Sequence, residues 1–348
     1  MSLIIPSAGL SSKSYPKPKW ILTCPNGNLM IQECINGLDL TLIDNIYVTV
    51  LEEHCKKYLE NIEISDLFRK TGKNIHVLKL LSQTSSQSET VYQTIKYFNI
   101  DGPIFIKDCD NNFNGKIDIG NYVFYIKDNE FNELNNLHEK SFIEINENNN
   151  KIINICEKKI ISNTICTGGY SFSEASIFTK SYEECVKLNL DNLYISHIIL
   201  NSILNKEDFY AYEVKNFVDW GTNGLWVKYL NSFKTLFVDI DGTLFHNCGK
   251  YSKIKWGENI PLINNSSYIK ELYNNGKTQI ILTTSRSEEF KEKTIEQLKK
   301  YDIKYHHIIF GLFHCKRYLI NDYADSNPYP TAIAINIERD RDNLQKLL

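Results

Sequence analysis

The chain has no stretch of the roughly 18 consecutive apolar residues that a helix needs to cross a bilayer, which excludes a membrane-spanning helix. It also lacks any Cys-x-x-Cys pair. Its cysteines (Cys24, Cys34, Cys55, Cys109, Cys156, Cys166, Cys185, Cys248 and Cys315) are scattered and odd in number, the pattern of reduced thiols rather than of a disulfide framework. No Cys or His cluster has the spacing of metal ligands. No basic residue precedes the short apolar run of MSLIIPSAGL, and a proline interrupts it, so it makes a poor secretory signal. There is no long run of like charge, and the net charge is −3, which speaks against nucleic acid or a membrane surface as partner. The expectation is a soluble, cytoplasmic protein that holds anionic ligands by local features; a homo-oligomer is left open.

What is present is a chain of 348 residues, 42% hydrophobic, longer than one core usually serves. The order of its patterns suggests an α/β protein of two domains. SLIIP, IYVTV, NIHVLKLL and GPIFIKDCDN read as buried strands, with helical spacing between them in LEEHCKKYLE and SQSETVYQTIKYF. Such alternation predicts a wound, mostly parallel sheet with ligands at the carboxyl ends of its strands. Residues 111 to 163 read instead as short strands with polar turns, NENNN being a loop tip. A second series begins at TLFVDID and continues through TQIILTT, SEEFKEKTIEQLKKY, YHHIIFG and RYLIND. The expected domains are residues 1–231 and 232–348.

The first candidate site follows the first strand. In SAGLSSK, small residues allow backbone N–H groups to turn towards an anion, and a lysine adds charge. In PKPKW, Pro16 and Pro18 hold an extended segment that carries Lys17 and Lys19. The arrangement resembles the amino-terminal signature of the sugar-phosphate nucleotidyltransferases, matched by Pro6, Ala8, Gly9, Ser12, Pro18 and Lys19. Ser11 replaces a usual glycine and Lys13 a usual arginine, keeping charge but losing the bidentate fork.

The resemblance continues to about residue 230. SQTSSQSETV resembles the base-contacting turn, with Gln83 and Ser86 as candidate contacts. IFIKDCDN resembles the strand that ends in a metal-binding aspartate, Asp108, with Asp110 either a neighbour on the same face or a participant. CEKKIISNTICTGGYSF supplies Glu157, Lys158 and Gly168 for the sugar, and FVDWGT supplies Asp219 as the second metal ligand. The resemblance implies a glycosyltransferase-A-like fold with a mixed wound sheet. It also implies that Mg²⁺ held by Asp108 and Asp219 neutralises the α-phosphate, that Lys13 meets the β- and γ-phosphates, and that Lys19 and Lys158 fix the acceptor phosphate.

The second candidate site is FVDIDGTL. A strand delivers Asp239 and Asp241 to the same side, and Gly242 and Thr243 turn the chain away. Two acids at a buried strand end repel each other unless a cation is near. The stretch resembles the first motif of the haloacid dehalogenase phosphatases, which implies Asp239 as nucleophile and Asp241 as general acid and base. Thr284 and Arg286 resemble the second motif, Lys316 the third with Arg317 as substitute, and Asp322 the fourth. A second Mg²⁺ would be held by Asp239, Asp241 and Asp322, with Asp325 a further candidate. The short spacings between these motifs leave no room for a large cap in this Rossmann-like domain.

Two phosphate-handling sites in one chain suggest consecutive steps. The combined expectation is a bifunctional enzyme of nucleotide-sugar synthesis. One domain transfers a nucleotidyl group from a nucleoside triphosphate, CTP being favoured, to a sugar phosphate. The other removes a phosphate from a sugar bisphosphate or nucleotide sugar, for capsule or another surface polysaccharide. One rival reading is a phosphatase with an inactive, nucleotide-sugar-binding first domain. Another makes the first domain an oligomerisation scaffold.

Overall fold

The computed structural model describes residues 1–9, 15, 17–127, 137–188, 192–323 and 331–348. Contacts divide it into two compact units, Met1–Val227 and Lys228–Leu348. The division falls within the helix Asn223–Asn231, a few residues before the position expected from sequence.

In the first unit, β1 (Ser2–Ser7) is buried along its whole length. Leu3 and Ile5 enter one hydrophobic cluster and Ile4 the other, as strand alternation dictates when both faces of a sheet are covered. Next come the short β2 (Leu38–Asp39), β3 (Asn45–Leu51), β4 (Asn74–Leu80) and β5 (Ile104–Lys107). The strands β3 and β5 flank β1 in parallel, and β4 adds to β3 in parallel. This half has the connectivity of a wound α/β sheet, with the helix Gln87–Phe98 as the crossover between β4 and β5.

The second half of the sheet is mixed. It consists of β7 (Tyr122–Lys127), β8 (Ser141–Asn146), β9 (Lys151–Glu157), β10 (Thr164–Phe172) and β11 (Tyr210–Glu213). The order is β4-β3-β1-β5-β10-β7-β11-β9-β8, with β10 antiparallel to both β5 and β7. NENNN is the turn of the β8–β9 hairpin. A separate small sheet joins β2 to β6 (Asn111–Lys116) and β6 to β12 (Lys215–Asp219). Its antiparallel register sets Asp219 opposite Asn111, three residues past Asp108. Residues far apart in sequence thus meet at one end of the sheet. The single strand expected over FYAYEVKNFVD is two, because Val214 leaves the large sheet for the small one.

The second unit holds three parallel strands, β13 (Lys234–Asp239), β14 (Thr278–Thr283) and β15 (His307–Ile309), in that order. The helices Ile263–Asn274 and Lys291–Lys300 connect them over a core that includes Val238, Ile269, Ile280, Leu282 and Leu298. RYLIND forms no strand, contrary to expectation: Leu319 and Ile320 are exposed, and alternation alone does not supply a pairing edge.

Candidate active sites

A cavity of about 860 Å³ opens at the carboxyl ends of β1 and β5. Gly9, Lys19, Asp108, Glu157, Lys158 and Gly168 all line it, so residues scattered over some 160 positions converge on one space. Ala8 is buried. Ser11, Ser12, Lys13 and Pro16 lie outside the described residues.

Asp108 directly follows β5, and its backbone N–H donates to the Gly168 carbonyl at 2.8 Å. Its Oδ1 accepts from Gln87 Nε2 at 2.6 Å, which places the start of the helix Gln87–Phe98 against the carboxylate. Desolvation at the cavity floor, and then the negative charge of Asp110, push the Asp108 carboxyl up to about 7, while Lys107, Gln87 and Lys140 oppose the shift. The turn after Asp108 is held from below. Lys107 is fully buried, and its ammonium donates to the carbonyls of Asp108 at 2.7 Å and Asn111 at 3.1 Å.

Asp110 also lines the cavity. Lys19 Nζ donates to Asp110 Oδ2 at 3.0 Å and to the Gly221 carbonyl at 2.5 Å. Burial works against the Lys19 charge, but Asp110 outweighs it and holds the ammonium well above its ordinary value. Burial likewise works against the Asp110 charge, and Lys19 and Lys140 hold that carboxyl below its ordinary value. Asp219 Oδ1 accepts from the Gly221 N–H at 2.8 Å, and Oδ2 is ion-paired with Lys140.

On the opposite wall, Glu157 Oε2 accepts from the hydroxyls of Ser141 and, at 2.7 Å, Ser196. Lys158 adopts a left-handed backbone with φ of 55°, pairs with Glu139 at 3.2 Å and lies 5.1 Å from the centre of the Tyr194 ring. Gln83 is exposed, and Ser86 caps the helix Gln87–Phe98 by accepting from the Glu89 N–H. Neither lines the cavity; Gln87, just beyond them, does.

Asp108, on the cavity lining, and Asp219, beside the lining residue Gly221, are hard carboxylate donors of the kind that Mg²⁺ takes. No group of three His, Cys, Asp or Glu among the described residues forms a closed metal cage.

In the second unit, Asp239 ends β13 and its Oδ1 accepts from Arg317 Nη2 at 3.0 Å. Burial raises the Asp239 carboxyl, and Arg317 counters it. Arg317 also reaches Thr283 Oγ1 at 3.3 Å. The cation at Asp239 is therefore Arg317, not Lys316, whose residue is exposed. Arg286 is fully buried: its Nε and Nη2 fork onto the two oxygens of Asp241 at 2.9 and 2.8 Å. Thr294, Gln297 and Asn259 occupy its remaining donors. Arg286 thus orients Asp241 instead of reaching a substrate. Thr284 is buried and accepts from the Arg286 N–H at 3.0 Å.

Asp322 lies on the exposed segment that does not pair, and its carbonyl accepts from Thr331. Asp325 lies outside the described residues. Asp239, Asp241 and Asp322 therefore do not fit a second metal. One carboxylate faces Arg317, one is taken by Arg286, and the third is out in solvent.

No family model and no curated protein sequence matches the chain. Solved structures do. A nucleoside-diphosphate-sugar pyrophosphorylase from Vibrio cholerae matches with a TM-score of 0.56 at 18% identity, over 66% of this chain and 99% of its own. A Bacillus anthracis protein, provisionally a glucose-1-phosphate thymidylyltransferase and in complex with a sucrose, matches at 0.51 and 17%, over 66% and 93%. A UDP-glucose pyrophosphorylase without ligand matches at 0.51 and 13%, over 66% and 97%. The nucleotidyltransferase-like fold is thereby shown over about two thirds of the chain.

Proposed function

We propose that the first unit is a Mg²⁺-dependent nucleotidyltransferase that joins a nucleotidyl group to a sugar phosphate. The observation that carries this reading is the convergence of Asp108, Lys19, Lys140 and the Glu157–Lys158 pair on one cavity, with Asp219 paired to Lys140, in a fold shared with nucleotide-sugar pyrophosphorylases. An oxygen of the acceptor phosphate attacks the α-phosphorus, the bond to the bridging oxygen breaks, and pyrophosphate leaves. No side-chain nucleophile is needed; positioning and charge neutralisation do the work. Asp108 and Asp219 would hold Mg²⁺, which offsets the charge of the triphosphate. Lys19, fixed by Asp110, and Lys158 present ammonium groups to the acceptor phosphate. Glu157, oriented by two serine hydroxyls, accepts hydrogen bonds from sugar hydroxyls.

For the second unit the reading is a phosphatase of haloacid dehalogenase type that acts on a sugar phosphate of the same route. Asp239 attacks phosphorus as the ester P–O bond breaks, Asp241 protonates the departing alcohol and then takes a proton from the water that hydrolyses the aspartyl-phosphate to free phosphate, and Arg317 supplies the positive charge beside the nucleophile. The support is the placement of Asp239 and Asp241 at the end of β13, with Arg317 at 3.0 Å.

Pyrophosphate release from CTP, UTP, ATP, GTP and dTTP against a panel of sugar 1-phosphates tests the first half and identifies the base. Phosphate release from sugar bisphosphates by wild type and Asp239→Asn tests the second. A first unit that binds nucleotide but releases no pyrophosphate is a recognition module.

A further inference from the structure

Asp108 and Asp110 line the cavity of the first unit, Asp219 lies beside the lining residue Gly221, and the ammonium of Lys19 is already committed to Asp110. Lys140 is placed differently. Its ammonium is on Asp219 Oδ2, an oxygen that is buried and has no hydrogen-bond donor besides that ion pair. The Asp219 side chain is only 3% exposed. Lys140 also acts electrostatically on Asp108 and Asp110, so its charge serves the whole acidic floor. Its own backbone lies on the other side of the cavity: the Lys140 carbonyl accepts from the Lys158 N–H at 3.0 Å, and its neighbours Glu139 and Ser141 contact Lys158 and Glu157. One long side chain therefore links Asp219 to the wall that carries Glu157 and Lys158.

We propose that the Lys140 ammonium is a built-in counter-ion of Asp219, which a divalent cation must displace and which then serves the phosphates delivered with that cation. The proposal rests on the metal assignment made above. A nearly buried carboxylate without a cation is unfavourable, so an ammonium on it stabilises the site, and the same ammonium competes with an incoming metal. The ion alone gains little by breaking that pair. The ion together with a polyphosphate gains more, because the displaced ammonium finds new anionic oxygens. The consequence is a site that takes metal and nucleotide together.

Mn²⁺ titration of the full chain, read by loss of the free-ion electron paramagnetic resonance signal, tests this without any reaction. Lys140→Met and Lys140→Gln are expected to bind Mn²⁺ alone at least ten-fold tighter than wild type, and Lys140→Arg to resemble wild type. Unchanged or weaker Mn²⁺ binding in both neutral variants overturns the proposal, since a merely structural lysine leaves Asp219 less ordered when lost. The same titration with each triphosphate present separates the two readings. Wild type that gains no Mn²⁺ affinity from any triphosphate defeats the nucleotidyltransferase assignment, while the comparison with Mn²⁺ alone still decides the role of Lys140.

Discussion

Gly168 and Asp108 approach so closely that a Cβ at position 168 would stand 2.5 Å from Asp108 Oδ2 and 2.8 Å from Asp108 Cβ. Gly168 also has a φ of 77°, a conformation unfavourable for other residues. The carboxylate at the end of β5 is thus placed by an absence of side chain on β10. Gly168→Ala is expected to displace Asp108, lowering stability by roughly 1–3 kcal/mol and pyrophosphate release by more than ten-fold. Denaturant titration and a pyrophosphate assay check both; a variant with wild-type rate and midpoint contradicts the placement.

Lys107 holds the turn that follows. It is fully buried, donates to two carbonyls, and lies 4.7 Å from the centre of the Phe113 ring. Lys107→Met fills the space but leaves those carbonyls short of a donor, which costs about 1–3 kcal/mol per group. The expected outcome is a clear fall in the unfolding midpoint of the first unit, with the second unit unaffected. A midpoint equal to that of wild type would show that water replaces the ammonium.

Arg286 is the counterpart in the second unit. Arg286→Ala removes the cation paired with Asp241 and leaves the side-chain oxygen of Gln297 without the donor it has in wild type. Breaking a buried pair on one side is expected to cost about 3–5 kcal/mol. Thermal unfolding of the variant should show the second unit melting well before the first; unchanged melting would place Arg286 in solvent.

Arg317 and Lys316 separate the motif reading from the geometry. Arg317→Ala is expected to abolish phosphate release, because the cation at Asp239 is lost, and Lys316→Ala to retain it within about two-fold. Loss of activity in Lys316→Ala alone would mean that the lysine swings in during turnover.

The parts of the first site that were legible in sequence are those carried by short local patterns: Lys19 after its prolines, Asp108 at a strand end, Glu157 with Lys158, and Asp219. Their selection as candidates follows from residue type and immediate neighbours. Gln87 and Lys140 were not legible, because each acts through a partner 21 and 79 residues away respectively, at Asp108 and Asp219. Lys107 was quoted within a strand, but nothing in IFIKDCDN says that its ammonium turns inward. In the second unit the pair Asp239 and Asp241 was legible for the same local reason. The partner of Asp239 was not, since adjacent Lys316 and Arg317 are equally cationic and only the path of the chain selects between them. RYLIND has a strand-like local pattern, yet a strand also needs a partner edge, which local pattern does not encode.

The most direct measurement is pyrophosphate release by wild type and Asp108→Asn, with Mg²⁺, a nucleoside triphosphate and a sugar 1-phosphate. The account predicts release by wild type with one triphosphate and at least a hundred-fold less by Asp108→Asn, with the fold of the variant intact by circular dichroism. Equal release by the two proteins would contradict it, because the chemistry would then lie outside the cavity that Asp108 defines.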